Sequence, residues 1–230
     1  MKRILCLLVT AGLMTGWAQR GGAPNTLTAA EQKEGFVLLF DGKTLNGWDL
    51  RPGQEKVWTV VDGAIRNSQT NPGGTMLTKD DFANFVLKAE FRAHPNVNSA
   101  IMLRQPRPAG AAAESKAKAR DKMKKNDAAG YELQIRDKVL TDRTGGEYLT
   151  ASIVNVAPAP ADVKIIPGQW NTFEVTADGD HLVVLYNGRK TVDVHDSRLK
   201  TGALGLQSAH PEDPAGASIE FRSLKVKRLP

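Results

Sequence analysis

The chain has 230 residues, with 31 basic and 25 acidic side chains and a formal net charge of +6. Hydrophobic residues make up 41% and charged residues 24%, the balance of one globular domain large enough to fold without covalent staples. A single cysteine, Cys6, excludes a disulfide framework and a cysteine-based metal site.

Lys2 and Arg3 precede an apolar run over residues 4–14, which is followed by Gly16-Trp17-Ala18. A charged start, an apolar stretch and a small-x-small ending are the layout of a secretory signal peptide, with cleavage expected after Ala18. The run is too short for a permanent membrane helix. The mature chain is therefore expected to be periplasmic or secreted, soluble and free of cysteine. Two of the 31 basic residues leave with the leader, so 29 face 25 acidic ones and the net charge falls to +4. Much of that excess lies in KAKARDKMKK at 116–125. No aromatic residue interleaves with it, so it reads as a solvated loop or helix face and not as a nucleic-acid groove.

Residues 19–27 read as a linker before the domain at 28–230. Thr28-Ala29-Ala30-Glu31 has the spacing of a capping box and predicts a short helix ended by Gly35. A continuous apolar strand candidate follows at 36–40. Short strands are then expected at 57–61, 85–92, 99–105, 131–136, 173–177, 182–187, 203–208 and 218–226. Asp62-Gly63 and Asn187-Gly188 mark tight hairpins. Many short strands separated by such turns, without helix–strand alternation, predict an all-β antiparallel sandwich. Residues 106–129, with two prolines, an alanine run and the basic stretch, read as an insertion between two strands.

Side chains alternate between the faces of a strand. Leu87, Ala89 and Phe91 suit a core, which turns Lys88, Glu90 and Arg92 the other way. Ile101 and Leu103 suit a core and leave Ala100, Met102 and Arg104 opposite. Tyr131, Leu133 and Ile135 leave Glu132, Gln134 and Arg136; Leu204 and Leu206 leave Ala203, Gly205 and Gln207. The small residues Ala100, Ala203 and Gly205 on this polar side are expected to make room for a ligand above a sheet. There is no glycine-rich phosphate loop and no G-x-S-x-G elbow. His94, His181, His195 and His210 are scattered, without metal-ligand spacing.

The run Phe40-Asp41-Gly42-Lys43-Thr44-Leu45-Asn46-Gly47-Trp48 resembles the opening signature of the bacterial 3-keto-disaccharide hydrolase family. The resemblance continues in order through WTVVDG at 58–63, FVLKAEFR at 85–92, NSAIMLR at 98–104, GYELQ at 130–134, GQWN at 168–171, GALGLQ at 202–207 and FRSLKV at 221–226. It spans about residues 30–229. It implies a concanavalin-A-like jelly roll with a sugar-facing sheet, bacterial export, and polar site residues at Glu90, Arg104, Glu132, Gln134 and Gln207. The sequence departs from the family at Thr150-Ala151-Ser152-Ile153-Val154, where a T-G-x-L-Y segment loses its glycine and tyrosine. It departs again after Gln207, where Ser208 and Ala209 both precede His210 and an insertion follows at 211–217.

The implied chemistry acts on 3-keto-glycosides or 3-keto-disaccharides. A ketone at C3 acidifies the C2 hydrogen; its removal gives an enolate that expels the C1 substituent, and water then adds. Such a site needs a base, an oxyanion stabiliser and an acid. Arg104 is the candidate stabiliser, Glu132 or His210 the base, and Glu90 the acid or the partner that orients Arg104. Gln134, Gln207, Asn171 and Arg92 are candidates for binding sugar hydroxyls. Ordinary glycosidase chemistry with Glu90 and Glu132 as paired carboxylates stays open, as does a non-catalytic carbohydrate-binding module, because the fold alone does not choose. No cofactor is expected. A divalent metal could replace the arginine, though no ligand spacing argues for one.

Overall fold

The computed structural model describes residues 22–50, 53–68, 74–107, 130–136, 148–210, 213 and 215–230. The signal peptide expected at 1–18, Cys6 and all but the first two residues of the 106–129 insertion lie outside these residues.

Helix α1 (Ala29–Lys33) starts at the expected capping box: the Thr28 hydroxyl accepts from the Glu31 amide while the Glu31 carboxylate accepts from the Thr28 amide. Gly35, at φ +86°, lets the chain leave the helix. Two short strands follow, β1 (Val37–Leu38) and β2 (Trp48–Asp49), and then β3 (Trp58–Val61) and β4 (Ala64–Ser68). β3 and β4 are joined through Asp62 and Gly63, both at positive φ, the condition for a type I′ hairpin. β5 (Thr75–Phe82), β6 (Phe85–Ala93), β7 (Asn98–Gln105) and β8 (Tyr131–Arg136) come next. The last five are β9 (Trp170–Asp178), β10 (His181–Tyr186), β11 (Arg189–His195), β12 (Gly202–Gln207) and β13 (Ser218–Arg228). Asn187 and Gly188, again both at positive φ, turn β10 into β11.

Two antiparallel sheets face each other. The large one runs β11-β10-β9-β6-β13-β4-β3, with β1 added on β13; the small one runs β2-β5-β12-β7-β8. β6 shows the clean alternation of a half-buried strand: Phe85, Leu87, Ala89, Phe91 and Ala93 are buried, and Val86, Lys88, Glu90 and Arg92 are not. Phe91 stacks on Phe173 from β9 at 4.8 Å between ring centroids, and Tyr186 from β10 packs against both. The core face of the small sheet supplies Ile101, Leu103, Tyr131, Leu133, Ile135, Leu204 and Leu206. Burial of this size, with no cysteine in the described residues, is what stabilises the sandwich.

β7 departs from the expected pattern. Its residues 99–104 are all buried, so both of its faces are covered. The register also slips: from Ala203 to Gly205 is two steps on β12, against three from Gln105 to Met102 on β7. The extra residue forms a bulge in which Arg104 adopts φ +48°. Gly130 and Gly202 lie on either side of it. A methyl group on Gly202 would meet the Arg104 carbonyl oxygen at 2.6 Å, and one on Gly130 would meet the Leu103 carbonyl oxygen at 2.8 Å. Both positions therefore accept glycine alone, because a neighbouring backbone fills the space of a side chain.

Candidate functional site

The outer face of the small sheet carries the polar residues that alternation turns away from the core. The strand pairings place them in rows. Glu132 lies across from Met102, which lies across from Gly205; Gln134 lies across from Ala100, in the next row as Gln207; Arg136 lies across from Asn98. The segment 150–154 continues the sheet beyond β8, with the amides of Thr150, Ala151 and Val154 donating to the carbonyls of Arg136, Gln134 and Glu132. Ala151 holds φ +69° there, which explains why the related T-G-x-L-Y pattern carries glycine at this point.

Glu132 is the centre of the group. Burial pushes its pKa up; the nearby positive charge of His210, a hydrogen bond from Gln207 and the Arg136 guanidinium pull it back only in part. Gln207 links the two ends of the cluster, because its Oε1 also lies 3.3 Å from His210 Nε2. On the far side of the ring, Asn98 Nδ2 lies 3.5 Å from His210 Nδ1. An amide nitrogen can only donate and an amide oxygen can only accept. With these amide orientations a neutral imidazole would carry its proton on Nε2. Gln134 is buried beside this network, and its Oε1, like Asn98 Oδ1, has no hydrogen-bond partner among the described residues.

Four of the eight residues expected at the site thus come together: Glu132, His210, Gln134 and Gln207. The other four do not. Arg104 is fully buried and leaves the polar face because of the bulge. Its Nε donates to the Ala83 carbonyl at 2.8 Å, and its Nη1 donates to those of Gly179 at 2.7 Å and Leu199 at 2.8 Å. It ties together three connections at one end of the sandwich, beside a hollow of about 310 Å³ lined by Ala83, Asn84, Gly179, Asp180, Ser197, Leu199 and Lys200. Burial lowers its pKa from the ordinary arginine value.

Glu90 and Arg92 stand on the outer face of the large sheet. Glu90 accepts from Arg222 Nε at 2.6 Å, and Arg92 pairs with Glu220, which Arg66 also holds. Arg92 and Arg222 both lie over the Trp170 ring. Burial pushes Glu220 up, but the two arginines overcome this and hold it below the usual carboxylate range. Both sheets and the core therefore separate Glu90 from Glu132. Sheets pack ~10 Å apart, and the paired carboxylates of a glycosidase stand about 5–9.5 Å apart. The side chains point away from each other beyond that spacing, so these two cannot flank one glycosidic bond. Asn171 is fully buried at the start of β9. Its Nδ2 donates to the carbonyls of Ile166 and Gln169, and its Oδ1 accepts from Tyr186 and Asn187. Its side-chain amide is thus spent between the loop before β9 and the end of β10 with its turn.

The expected room above the small residues is also absent at Gly205. A methyl group there would sit 2.6 Å from Thr75 Cγ2, 2.9 Å from Leu77 Cδ2 and 3.2 Å from Met102 Cβ. Neighbouring side chains of the sheet fill that space. Conversely, Asn98, Arg136 and Asp213 join the cluster without having been singled out. Arg136 was visible as a polar-face residue of β8; Asn98 heads a recognisable strand; nothing local marked Asp213.

Comparison with known proteins agrees with this architecture. The family described as "3-keto-alpha-glucoside-1,2-lyase-like domain" matches residues 35–227. A 3-keto-disaccharide hydrolase of Bacteroides thetaiotaomicron is 35% identical over 78 residues, which are 30% of this chain and 27% of that protein. The chain thus aligns with under a third of that relative's length. A crystal structure of a proposed glycosyl hydrolase from Parabacteroides distasonis superimposes with a TM-score of 0.71 at 22% identity, covering 90% of this chain and all of that one. The carbohydrate-binding module CBM66 from Bacillus subtilis gives 0.51 at 18% identity, over 79% of this chain and 96% of that one. At such identities the structures speak for the jelly-roll sandwich alone. The match over 35–227, on a fold with these two sheets, shows that the chain belongs to the 3-keto-alpha-glucoside-1,2-lyase-like family.

Proposed function

We propose that the protein cleaves 3-keto-glycosides on the outer face of its small sheet, with Glu132 as the base that removes the C2 proton. The observation that carries this reading is a partly buried glutamate of raised pKa placed among Gln207, His210 and Arg136. A carboxyl tuned upward is a better proton acceptor near neutral pH than an exposed one.

Loss of the C2 proton to Glu132 forms the enolate, whose negative charge grows on the C3 oxygen. Arg136 carries a permanent charge on the same face and takes the stabilising role expected of Arg104. Departure of the C1 oxygen breaks the glycosidic bond as the C1–C2 double bond forms. That oxygen needs a proton, which His210 or the newly protonated Glu132 supplies. Water then adds across the double bond, its hydroxyl to C1 and its hydrogen to C2, so the sum is hydrolysis. Gln134 and Asn98, whose buried amide oxygens lack a donor among the described residues, are the candidates for taking up sugar hydroxyls.

Incubation with a 3-keto-disaccharide and with the unoxidised disaccharide, followed by mass spectrometry, tests this. Cleavage of the keto sugar alone is expected. Binding without turnover would leave a carbohydrate-binding module instead. We also infer export to the periplasm or medium, which rests on residues 1–18; fractionation of expressing cells and N-terminal sequencing of the product would check it. Among the described residues no helix is long and apolar enough to cross a membrane.

A further inference from the structure

His210 belongs to a connection between β12 and β13 that is longer than the related pattern, yet its ring still reaches Gln207. The backbone shows how. Ser208 exchanges hydrogen bonds with Gly74, its amide donating to the Gly74 carbonyl at 2.9 Å and its hydroxyl accepting from the Gly74 amide at 2.7 Å. The Ala209 amide donates to Asn67 Oδ1 at 3.0 Å. The His210 amide then donates to Asp213 Oδ2 at 2.8 Å, and the Asn98 amide donates to that same oxygen at 3.0 Å. The Asp213 amide closes the turn on the His210 carbonyl at 3.0 Å.

From this we infer that Asp213 is a positioning residue: one buried carboxylate oxygen joins the amides of His210 and Asn98 and so seats the imidazole between Asn98 and Gln207, within reach of Glu132. The inference rests on the proposed role of the Glu132–His210 cluster. Asn98 and His210 sit on different strands' ends, 112 residues apart in sequence. No local preference of either segment holds them together. A shared acceptor does, and two charge-assisted bonds from amides are stronger than neutral ones. The part of the insertion that carries Asp213 is in this view a support for the site and not a spacer.

Asp213→Ala removes the acceptor, while Asp213→Asn keeps an oxygen in the same place. With a 3-keto-disaccharide, D213A should lower kcat about tenfold or more with KM nearly unchanged, and D213N should restore most of it. The double variant H210A/D213A should have a kcat no lower than that of H210A, since what Asp213 does for turnover runs through His210; the losses in kcat should fail to add. Thermal unfolding of each variant separates this from loss of the fold. A kcat unchanged in D213A, or a loss that adds fully to that of H210A, would overturn the assignment. The NMR signal of the His210 ring distinguishes failure of the underlying reading. The ring signal should respond to Glu132→Gln in the wild type and in D213N, and cease to respond in D213A. If no sugar is cleaved by any form while this coupling holds, the seat stands and the enzymatic reading falls. If the coupling is the same in D213A, the seat falls.

Discussion

Glu132 and Arg104 were placed on one polar face by alternation and have opposite fates. Glu132 keeps a carboxyl whose ionisation burial opposes. Its pKa is higher folded than unfolded, so its contribution to stability is present at acid pH and is lost as pH rises through the folded value. Glu132→Gln should therefore raise the melting temperature by a few degrees at neutral pH, with the gain vanishing near pH 4, as calorimetry at both pH values would show. The same substitution should lower kcat/KM on a 3-keto-disaccharide by about 10²–10⁴-fold, the range of a lost general base. In the wild type, kcat/KM should fall as acid titrates Glu132, and this limb should disappear in E132Q. Arg104 is turned away from that face. Its guanidinium serves three carbonyls that would lose their donor together. Arg104→Met should cost about 3 kcal/mol or more, since a bond to a charged donor contributes ~1.5–3 kcal/mol. Urea unfolding would read this as a lower midpoint, and any loss of activity should track the unfolded fraction.

The bulge in β7 decides between those fates. Without its extra residue, Arg104 would continue the outer row of Ala100 and Met102; with it, the side chain reaches the β9–β10 turn of the large sheet. Close backbone on both sides then requires Gly130 and Gly202. Gly202→Ala forces a methyl group against the Arg104 carbonyl carbon at 2.5 Å, a contact that only backbone movement relieves. Gly205→Ala meets the side chains of Thr75, Leu77 and Met102, which can rotate away in part. Overpacking typically costs about 1–3 kcal/mol, so G205A should fall within that range and G202A at its upper end or beyond. Chemical denaturation of the two variants ranks them, and equal midpoints would mean that the bulge does not constrain β12.

The two outer faces of the sandwich do different work. The large sheet's face carries Arg66, Arg92 and Arg222 around Trp170, the first two sharing Glu220 and the third paired with Glu90. The small sheet's face holds a carboxyl of raised pKa and buried acceptors without donors among the described residues. Glu90→Gln should leave kcat/KM within about twofold of wild type and change stability by less than about 1 kcal/mol, as for other partly exposed ion pairs. A loss of activity in E90Q comparable to that in E132Q would mean that the catalytic face has been placed on the wrong sheet.

Hydrophobic alternation, hairpin dipeptides and the capping box act over a few residues, so the strands of a two-sheet sandwich, the helix before them and the outward direction of Glu132, Gln134 and Gln207 could be read from the chain alone. So could the family, whose motifs recur in order from Phe40 to the end of β13. Which sheet each strand joins is set by pairings between residues far apart in sequence, and no short window contains them. That is why Glu90 and Arg92 looked equivalent to Glu132 until β6 took its place between β9 and β13. A one-residue bulge redirected Arg104, and the loop before β9 and the β10–β11 turn together claimed Asn171. Asp213 entered the site through two backbone amides, a recognition that depends on where the chain passes and leaves no pattern in side-chain type.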